Sequence, residues 1–214
     1  MKATISGLYA VTPDLSDTAV LLARTRAALA GGARLVQYRN KIAGATLRGE
    51  QAAALCQLCR RNGAVLIIND HVDLAREIDA DGVHVGADDA AVSFARGELG
   101  DGKIIGASCY NDLRRARDAA AQGADYVAFG SFFASPVKPD AVRAPLALLQ
   151  QARQQIALPV VAIGGITLAN APELIAAGAD AIAVISALFD AADVEAAAHE
   201  FHDLFRIRRY DVMQ

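Results

Sequence analysis

Three side chains that can bind an anion stand at alternate positions in the segment 37–41, which reads Gln-Tyr-Arg-Asn-Lys. Because successive side chains of a β-strand point to opposite faces, Gln37, Arg39 and Lys41 should share one face. An arginine can grip two phosphate oxygens at once, and a lysine adds a compact positive charge. The spacing therefore predicts a donor-rich cradle for a phosphate or diphosphate group. The alternative is a solvated strand end with ordinary surface charges, which does not explain the shared facing.

Two acidic residues follow the next two apolar runs of the chain. Asp70 comes directly after Asn69, which ends the run 66–68, and Asp89 lies shortly after the run 82–86. Magnesium is typically held in proteins by one or two carboxylates together with substrate phosphate oxygens and water. Since neighbouring strands would place Asp70 and Asp89 close together, the sequence predicts a Mg²⁺ site beside the anion cradle. The alternative is that the two aspartates cap the helices that follow them.

These polar residues stand at the ends of a repeating unit. Alanine-rich helical stretches end in glycine, and an apolar run follows, as in 28–37, 59–68, 118–129 and 174–185. Glycine suits the position just past a helix end, and near-continuous apolar runs are typical of strands buried on both faces of a parallel sheet. Eight such units predict an α/β fold, a single-domain (β/α)₈ TIM barrel over residues 1–214. The alternative is an open doubly wound sheet, which would favour a G-x-G-x-x-G after the first strand, and the sequence has none there.

The predicted elements alternate along the whole chain. We predict strands at 7–12, 34–39, 64–69, 82–86, 103–108, 125–130, 159–164 and 181–186. We predict helices at about 16–30, 46–62, 71–78, 90–97, 111–122, 144–156, 168–177 and 193–207. In a barrel the catalytic residues gather at the carboxyl ends of the strands, which is where the polar residues fall.

A second anion site is predicted where the last two strands end. Gly164 and Gly165 follow the seventh strand, and Ile185 and Ser186 close the eighth. Barrels commonly bind a phosphate at these two loops through bare backbone N–H groups and a helix N-terminus. Two anion sites and a metal site suggest an enzyme with two phosphorylated substrates.

Three further features of the strand ends leave alternatives open. Ser108 ends the fifth strand and can either contact a ligand or cap the next helix. The long loop 132–139 carries two prolines and Lys138, and long loops at this end of a barrel often act as lids. His84 lies within the fourth strand, where an interior histidine satisfied by its neighbours is favoured over an acid or base.

Composition excludes several other classes of protein. The chain has 214 residues, of which 54% are hydrophobic, and its net charge of −3 offers no basic excess for a nucleic-acid backbone. We see neither a signal peptide nor an apolar run long enough for a membrane helix, so we expect small-molecule partners, no membrane and a cytoplasmic location. Cys56 and Cys59 form a lone C-x-x-C, which is best interpreted as the core-facing side of a helix. The sequence leaves open whether the chain forms a homo-oligomer.

In this order, the motifs resemble the thiamine-phosphate synthase (thiamine-phosphate pyrophosphorylase) family. The matching stretches cover nearly the whole chain and are 8–12, the Q-x-R-x-K at 37–41, 68–70, 82–86 with Asp89, 105–108, 123–127, 135–139, 164–167 and 185–186. The resemblance implies a transferase that joins 4-amino-2-methyl-5-hydroxymethylpyrimidine diphosphate to 4-methyl-5-(2-phosphoethyl)thiazole, or its carboxylated form. The products would be thiamine monophosphate and diphosphate, formed by a dissociative, magnesium-assisted substitution.

The same resemblance implies roles for individual residues. It assigns Asp70 and Asp89 to Mg²⁺. The pyrimidine diphosphate would be held by Gln37, Tyr38, Arg39, Asn40, Lys41, Asn69, Ser108 and Lys138, of which Arg39, Lys41, Ser108 and Lys138 would also act in catalysis. The thiazole phosphate would be held by Ser135, Pro136, Val137, Gly165, Ile185 and Ser186.

The sequence departs from the family pattern at two positions. Val137 stands where the family usually has a threonine, so a hydroxyl is lost on the thiazole side, and Ala87 stands where the family often has a glutamine. Two rival interpretations are a thiazole tautomerase-like isomerase and a non-catalytic barrel that binds a phosphorylated ligand. The intact cradle and the aspartate pair favour the synthase over both.

Overall fold

Eight parallel strands close into a barrel, and helices surround it. The computed structural model describes residues 2–86, 91–134 and 142–211, with side chains as far as Arg206. The strands are β1 (Gly7–Val11), β2 (Leu35–Tyr38), β3 (Val65–Asn69), β4 (Gly82–Val85), β5 (Ile104–Tyr110), β6 (Tyr126–Phe129), β7 (Val160–Ile163) and β8 (Ala181–Val184). Each strand pairs with its neighbour in chain order, and β8 pairs with β1. The predicted (β/α)₈ barrel is confirmed.

The helices follow the strands in the order that the repeat predicts. They are α1 (Thr18–Ala30), α2 (Ala45–Arg61), α3 (Val72–Glu77), α4 (Val92–Leu99), α5 (Leu113–Ala121), α6 (Ala147–Gln155), α7 (Ala171–Ala177), α8 (Ser186–Phe189) and α9 (Val194–Asp211). The short helix α8 was not predicted, because four residues are too few for a periodic apolar pattern. No helix among the described residues is long and apolar enough to cross a membrane.

The alternation of side chains along each strand divides the core into two layers. On β1, Leu8 and Ala10 pack with the large layer between the strands and the helices, whereas Tyr9 and Val11 point into the barrel. The inner layer also contains Ile67 of β3 and Tyr126 of β6. Every second residue of a strand therefore faces the barrel interior, and the last such residue of each strand lies at the mouth.

Aspartates at the amino ends of alternate strands hold the barrel closed on the side away from the mouth. The Asp81 carboxylate accepts from the backbone N–H of Leu66, and the Asp125 carboxylate accepts from the N–H of Ile105, both at 2.8 Å. Asp180 likewise accepts from the N–H of Val160 at 2.9 Å. These bonds explain the repeated Gly-Ala-Asp segments before β6 and β8, so the repeat serves the fold rather than the site.

The cysteines lie in the core, as predicted for the lone C-x-x-C. Cys56 and Cys59 face inward from α2, and Cys109 is buried on β5. Burial raises the pKa of the Cys59 and Cys109 thiols to about 12, because a thiolate would lose its hydration there. All three are unpaired structural thiols.

Candidate active site

The carboxyl ends of the strands open into a cavity of about 670 Å³. Four of the residues predicted to bind the pyrimidine diphosphate line this cavity and come from three different strands or the loops that follow them: Gln37, Arg39, Asn69 and Ser108. Strand pairing in register brings these residues together, although more than 70 positions separate the first from the last along the chain.

Arg39 is held at the cavity mouth by residues that follow β1. Its Nη1 lies 3.1 Å from Oδ1 of Asp14, which also accepts from the backbone N–H of Lys41 at 2.7 Å. The buried hydroxyl of Thr12 accepts from the Arg39 N–H and donates to the Arg39 carbonyl oxygen. Asp14 was not predicted, because it precedes the cradle by 25 residues and has no motif of its own. It orients the cationic strand end before any ligand binds.

Lys41 and Asp70 form an ion pair outside the lining of this cavity, and Asp70 lines a separate pocket of about 560 Å³ at the amino ends of α2 and α3. Oδ2 of Asp70 also accepts from the side-chain amide of Asn69 at 2.6 Å. The Asp70 backbone has a φ of 64°, a left-handed conformation that turns the chain sharply after β3. The N-cap residue of α3 is His71, so the Asp70 carboxylate does not cap that helix.

The donor set at this position suits magnesium. Asp70 presents a hard carboxylate beside a cationic cradle, and Mg²⁺ is commonly bound through one or two carboxylates plus substrate phosphates and water. Asp89, the second predicted ligand, lies outside the described residues. Within the described part of the chain, no group of three or more His, Cys, Asp or Glu residues could form a complete protein cage for a metal. Asp70 therefore fits a Mg²⁺ site in which phosphate oxygens of a substrate supply further ligands.

The side chains of Tyr38 and Asn40 lie outside the lining of the cavity, and their contact with substrate stays a prediction. Tyr38 is 2% exposed, belongs to the outer layer and donates to Oε1 of Gln51 on α2 at 2.9 Å. Asn40 donates to the carbonyl oxygen of Leu15 at 2.7 Å and accepts from the N–H of Ala43. The physical reason is the strand alternation, which turns residues 38 and 40 toward α2 when residues 37 and 39 face the barrel.

A chain of hydrogen-bonded polar side chains crosses the barrel interior, and four of its five members line the cavity. The two ends are Gln37 and Ser108, and between them lie Tyr9, Tyr126 and His84. His84 is thus satisfied on both ring nitrogens by Tyr126 and Ser108, as its predicted interior position indicated. Burial raises the pKa of both tyrosines well above the ordinary value.

Sequence reasoning missed Tyr9 and Tyr126. Each lies within an otherwise apolar strand, and aromatic residues are common in buried strands for packing alone. The signal that could have identified them is the strand alternation, which places both in the inner layer among aliphatic side chains.

A second, smaller pocket of about 130 Å³ lies beside the first. Its lining includes Gly165 after β7 and Ile185, Ser186 and Ala187 after β8. Gly165 has a φ of 65°, and a Cβ atom at this position would overlap the carbonyl oxygen of Ala134. Ser186 and Ala187 begin α8, and the first N–H groups of a helix have no acceptor within it. Two neighbouring backbone segments therefore offer donors to a small anion.

The two pockets share a wall. Ile163, Gly164 and Ile185 line both of them. Ligands bound in the two pockets would therefore lie side by side at the barrel mouth. Ser135, Pro136, Val137 and Lys138, which were predicted for the loop after β6, lie outside the described residues.

Comparisons with known proteins agree on one family. Residues 8–188 match the family model described as thiamine monophosphate synthase. The chain is 59% identical over 201 residues to a thiamine-phosphate synthase of Methylobacillus flagellatus, covering 94% of this chain and 96% of that protein. It is 57% identical over 205 residues to a thiamine-phosphate synthase of Thiobacillus denitrificans, covering 96% and 97%. The solved thiamine phosphate pyrophosphorylase of Pyrococcus furiosus superposes with a TM-score of 0.84 at 38% identity, covering 94% of this chain and 96% of that one. From its sequence, its barrel and these relatives, the chain belongs to the thiamine monophosphate synthase family of transferases.

Proposed function

We propose that this chain makes thiamine monophosphate by transferring the pyrimidinylmethyl group of 4-amino-2-methyl-5-hydroxymethylpyrimidine diphosphate to the nitrogen of a thiazole phosphate, with diphosphate as the leaving group. The observation that carries the proposal is that two pockets share a wall, one lined by Arg39 and Ser108 and the other by Gly165 and the start of α8. Two substrates that each carry phosphate need such a pair. The names of the relatives support the same reaction.

The larger cavity suits the pyrimidine diphosphate. Arg39 and Lys41 are paired with Asp14 and Asp70. Diphosphate oxygens would offer the same two cations charge-assisted hydrogen bonds, and Asp70 would remain beside them to hold the metal. Lys138 is predicted to join the two cations from the loop after β6.

Magnesium is proposed at Asp70, with Asp89 as the second predicted ligand. Bound there, Mg²⁺ would offset the negative charge of the diphosphate oxygens. The chain's own contribution is to hold Asp70 in place through Asn69 and to set Lys41 beside it.

The bond changes require no general base. The C–O bond between the pyrimidine methylene carbon and the diphosphate breaks, and the lone pair of the thiazole nitrogen forms the new C–N bond. The aminopyrimidine ring can stabilise a positive methylene carbon, so the diphosphate departs before the nitrogen attacks. Arg39, Lys41 and Ser108 would stabilise the charge that grows on the departing oxygens, which is where fixed donors lower a barrier most.

The smaller pocket suits the phosphate of the thiazole. Gly165 and Ser186 offer backbone donors there, and Ser135, Pro136 and Val137 are predicted to complete the site. The wall shared with the larger cavity would place the thiazole nitrogen against the pyrimidine methylene carbon. Holding two reactants at such a distance is itself a large part of catalysis.

A coupling assay tests the proposal. The purified chain is mixed with both substrates, with and without Mg²⁺, and thiamine monophosphate and diphosphate are separated and quantified. We expect equal amounts of the two products, dependent on both substrates and on the metal. Isomerisation of the thiazole without coupling would instead indicate the tautomerase-like reaction, and binding without turnover would indicate a non-catalytic barrel.

A further inference from the structure

We infer that Tyr9, Tyr126 and His84 are positioning residues that orient the Ser108 hydroxyl as a hydrogen-bond donor toward the substrate's diphosphate. Together with Gln37 and Ser108 they form one continuous chain, which we call the interior relay. The links are Gln37 to Tyr9 at 2.9 Å, Tyr9 to Tyr126 at 2.8 Å, Tyr126 to His84 Nδ1 at 2.9 Å, and His84 Nε2 to Ser108 at 2.8 Å. The inference rests on the proposed function, because it assigns Ser108 a role toward that reaction's leaving group.

The direction of the relay is set at the Gln37 end. Nε2 of Gln37 donates to the Tyr9 hydroxyl, so the Tyr9 hydrogen is directed to Tyr126. Each phenol carries a single hydrogen, so the hydrogen of Tyr126 in turn goes to Nδ1 of His84. Both phenols keep that hydrogen at neutral pH because burial raises the pKa of each.

The tautomer of His84 follows from this direction. Since Nδ1 accepts from Tyr126, the hydrogen of the imidazole sits on Nε2, which donates to Oγ of Ser108. The relay therefore leaves the hydrogen of Ser108 to point into the cavity that Ser108 lines. In the opposite direction, the Ser108 hydroxyl would donate its hydrogen to Nε2 of His84. Only the lone pairs of Oγ would then face an anionic ligand. Only the first direction favours a diphosphate.

The residues packed around the interior relay leave room for the ring of Tyr126 at its centre. Tyr126 is fully buried, its ring stacks on His84 with centroids 5.5 Å apart, and it meets Tyr9 edge to face at 6.0 Å. Gly106 of β5 lies beside it, and a Cβ atom there would collide with the phenol end of the ring. Buried hydroxyls are costly unless fully bonded, and phenylalanines would fill the same volume without that requirement. A chain of four hydrogen bonds in an apolar interior is therefore best explained by what it does at its Ser108 end.

The test is a double-mutant cycle between Tyr126 and Ser108. Tyr126→Phe keeps the ring and removes the link between Tyr9 and His84. We expect kcat to fall roughly tenfold, the value of one hydrogen bond to a charged group, while the KM of either substrate changes much less. In a Ser108→Ala background the same substitution should cause no further loss of kcat, because the relay acts through that hydroxyl.

Thr25→Val is the control. It also removes a buried hydroxyl at nearly constant volume, but this hydroxyl donates to the carbonyl oxygen of Leu21 within α1 and does not line the cavity. We expect kcat to stay at the wild-type value. Additive losses for Tyr126→Phe and Ser108→Ala, or wild-type kcat in a folded Tyr126→Phe protein, would overturn the inference.

Nitrogen-15 NMR of the His84 ring gives a readout that needs neither catalysis nor a variant. We expect the chemical shifts of a neutral ring with its hydrogen on Nε2 in the wild-type chain. A hydrogen on Nδ1 would overturn the relay even if the chain couples its substrates. Conversely, the expected shifts in a chain without coupling activity would contradict the proposed function and leave the direction of the relay standing.

Discussion

At the scale of single residues, the two cations that follow β2 are already paired with carboxylates. Arg39 meets Asp14, and Lys41 meets Asp70. Each pair fixes a long, flexible side chain near the place where a diphosphate would bind, which reduces the ordering that binding would otherwise require. The proposed role of the two carboxylates is therefore to order the Arg39 and Lys41 side chains before a ligand binds, in addition to balancing their charge.

Replacing Arg39 with alanine tests this account of the cradle. We expect Arg39→Ala to lower kcat/KM at least about a hundredfold, since loss of one fixed donor to a developing anion commonly costs that much. Steady-state coupling kinetics measure it. Arg60→Ala is the control, because Arg60 also pairs with an aspartate, Asp79, but does so outside the cavity. Near-wild-type kinetics in Arg39→Ala would show that the cradle does not bind the leaving group.

At this scale, the sequence could predict which side chains share a face of one strand, because side chains alternate along it. Gln37 and Arg39 share the cavity because they share a strand face, and the pattern of residues 37–41 is sufficient to show it. The same rule places the side chains of Tyr38 and Asn40 on the opposite face, and their role toward substrate, which came from resemblance to the family, stays a prediction. Asp14 could not be predicted, since its role depends on the pairing of β1 with β2 and not on its neighbours in sequence.

At the scale of elements, the loop after β7 forms the floor of the smaller pocket. We expect Gly165→Ala to raise the KM of the thiazole phosphate roughly tenfold or more, because the new methyl group would push against Ala134 and Phe133 and move one wall of the pocket. The KM of the pyrimidine diphosphate should change little. Substrate-specific KM values measure the effect.

Gly63→Ala provides the control for backbone strain. Its φ of 61° is close to the 65° of Gly165, but a Cβ atom there meets nothing within 4 Å. Both substitutions should therefore cost about 1 to 2 kcal/mol of stability through the left-handed backbone, and only Gly165→Ala should alter a KM. Equal KM values in the two variants would contradict the proposed thiazole phosphate pocket.

The strands were predicted more reliably than the elements between them. Each predicted strand overlaps an observed one, because buried parallel strands are continuous apolar runs that the repeat makes plain. The predicted and observed strand ends differ by one or two residues. The clearest case is β5, which continues to Tyr110 past an irregularity in its pairing with β6. Helix α8 was not predicted, because its four residues are too few for a periodic apolar pattern and depend on their position directly after β8.

At the scale of the whole molecule, the buried thiols and phenols link stability to alkaline pH. Burial raises the pKa of Cys59 and Cys109 from 9.0 to about 12, and it raises the pKa of Tyr9 and Tyr126 above 10.0. Above pH 9 the unfolded chain would release thiol protons that the folded barrel retains. Because the folded state then binds more protons, the free energy of unfolding must fall as pH rises from about 9 toward 12.

Urea denaturation at pH 8, 9 and 10 measures this loss of stability. We expect the free energy of unfolding to be nearly constant up to pH 8 and then to fall, with each buried thiol contributing at most about 1.4 kcal/mol per pH unit. A variant with Cys59→Ala and Cys109→Ala, which cannot lose those protons, should have a shallower slope between pH 9 and 10. A wild-type curve that stays flat from pH 8 to 10 would contradict the assigned burial.

The central claim is that the cations after β2 and the carboxylate after β3 meet around one metal-bound diphosphate. Calorimetric titration of diphosphate into the wild-type, Asp70→Asn and Asp73→Asn proteins, with and without Mg²⁺, tests it most directly. Asp73 is an exposed aspartate three residues further along the chain and serves as the control. We predict that Mg²⁺ tightens diphosphate binding about tenfold or more in the wild-type and Asp73→Asn proteins, and that Asp70→Asn abolishes this gain but keeps the metal-independent binding. An undiminished gain from Mg²⁺ in Asp70→Asn would contradict the claim.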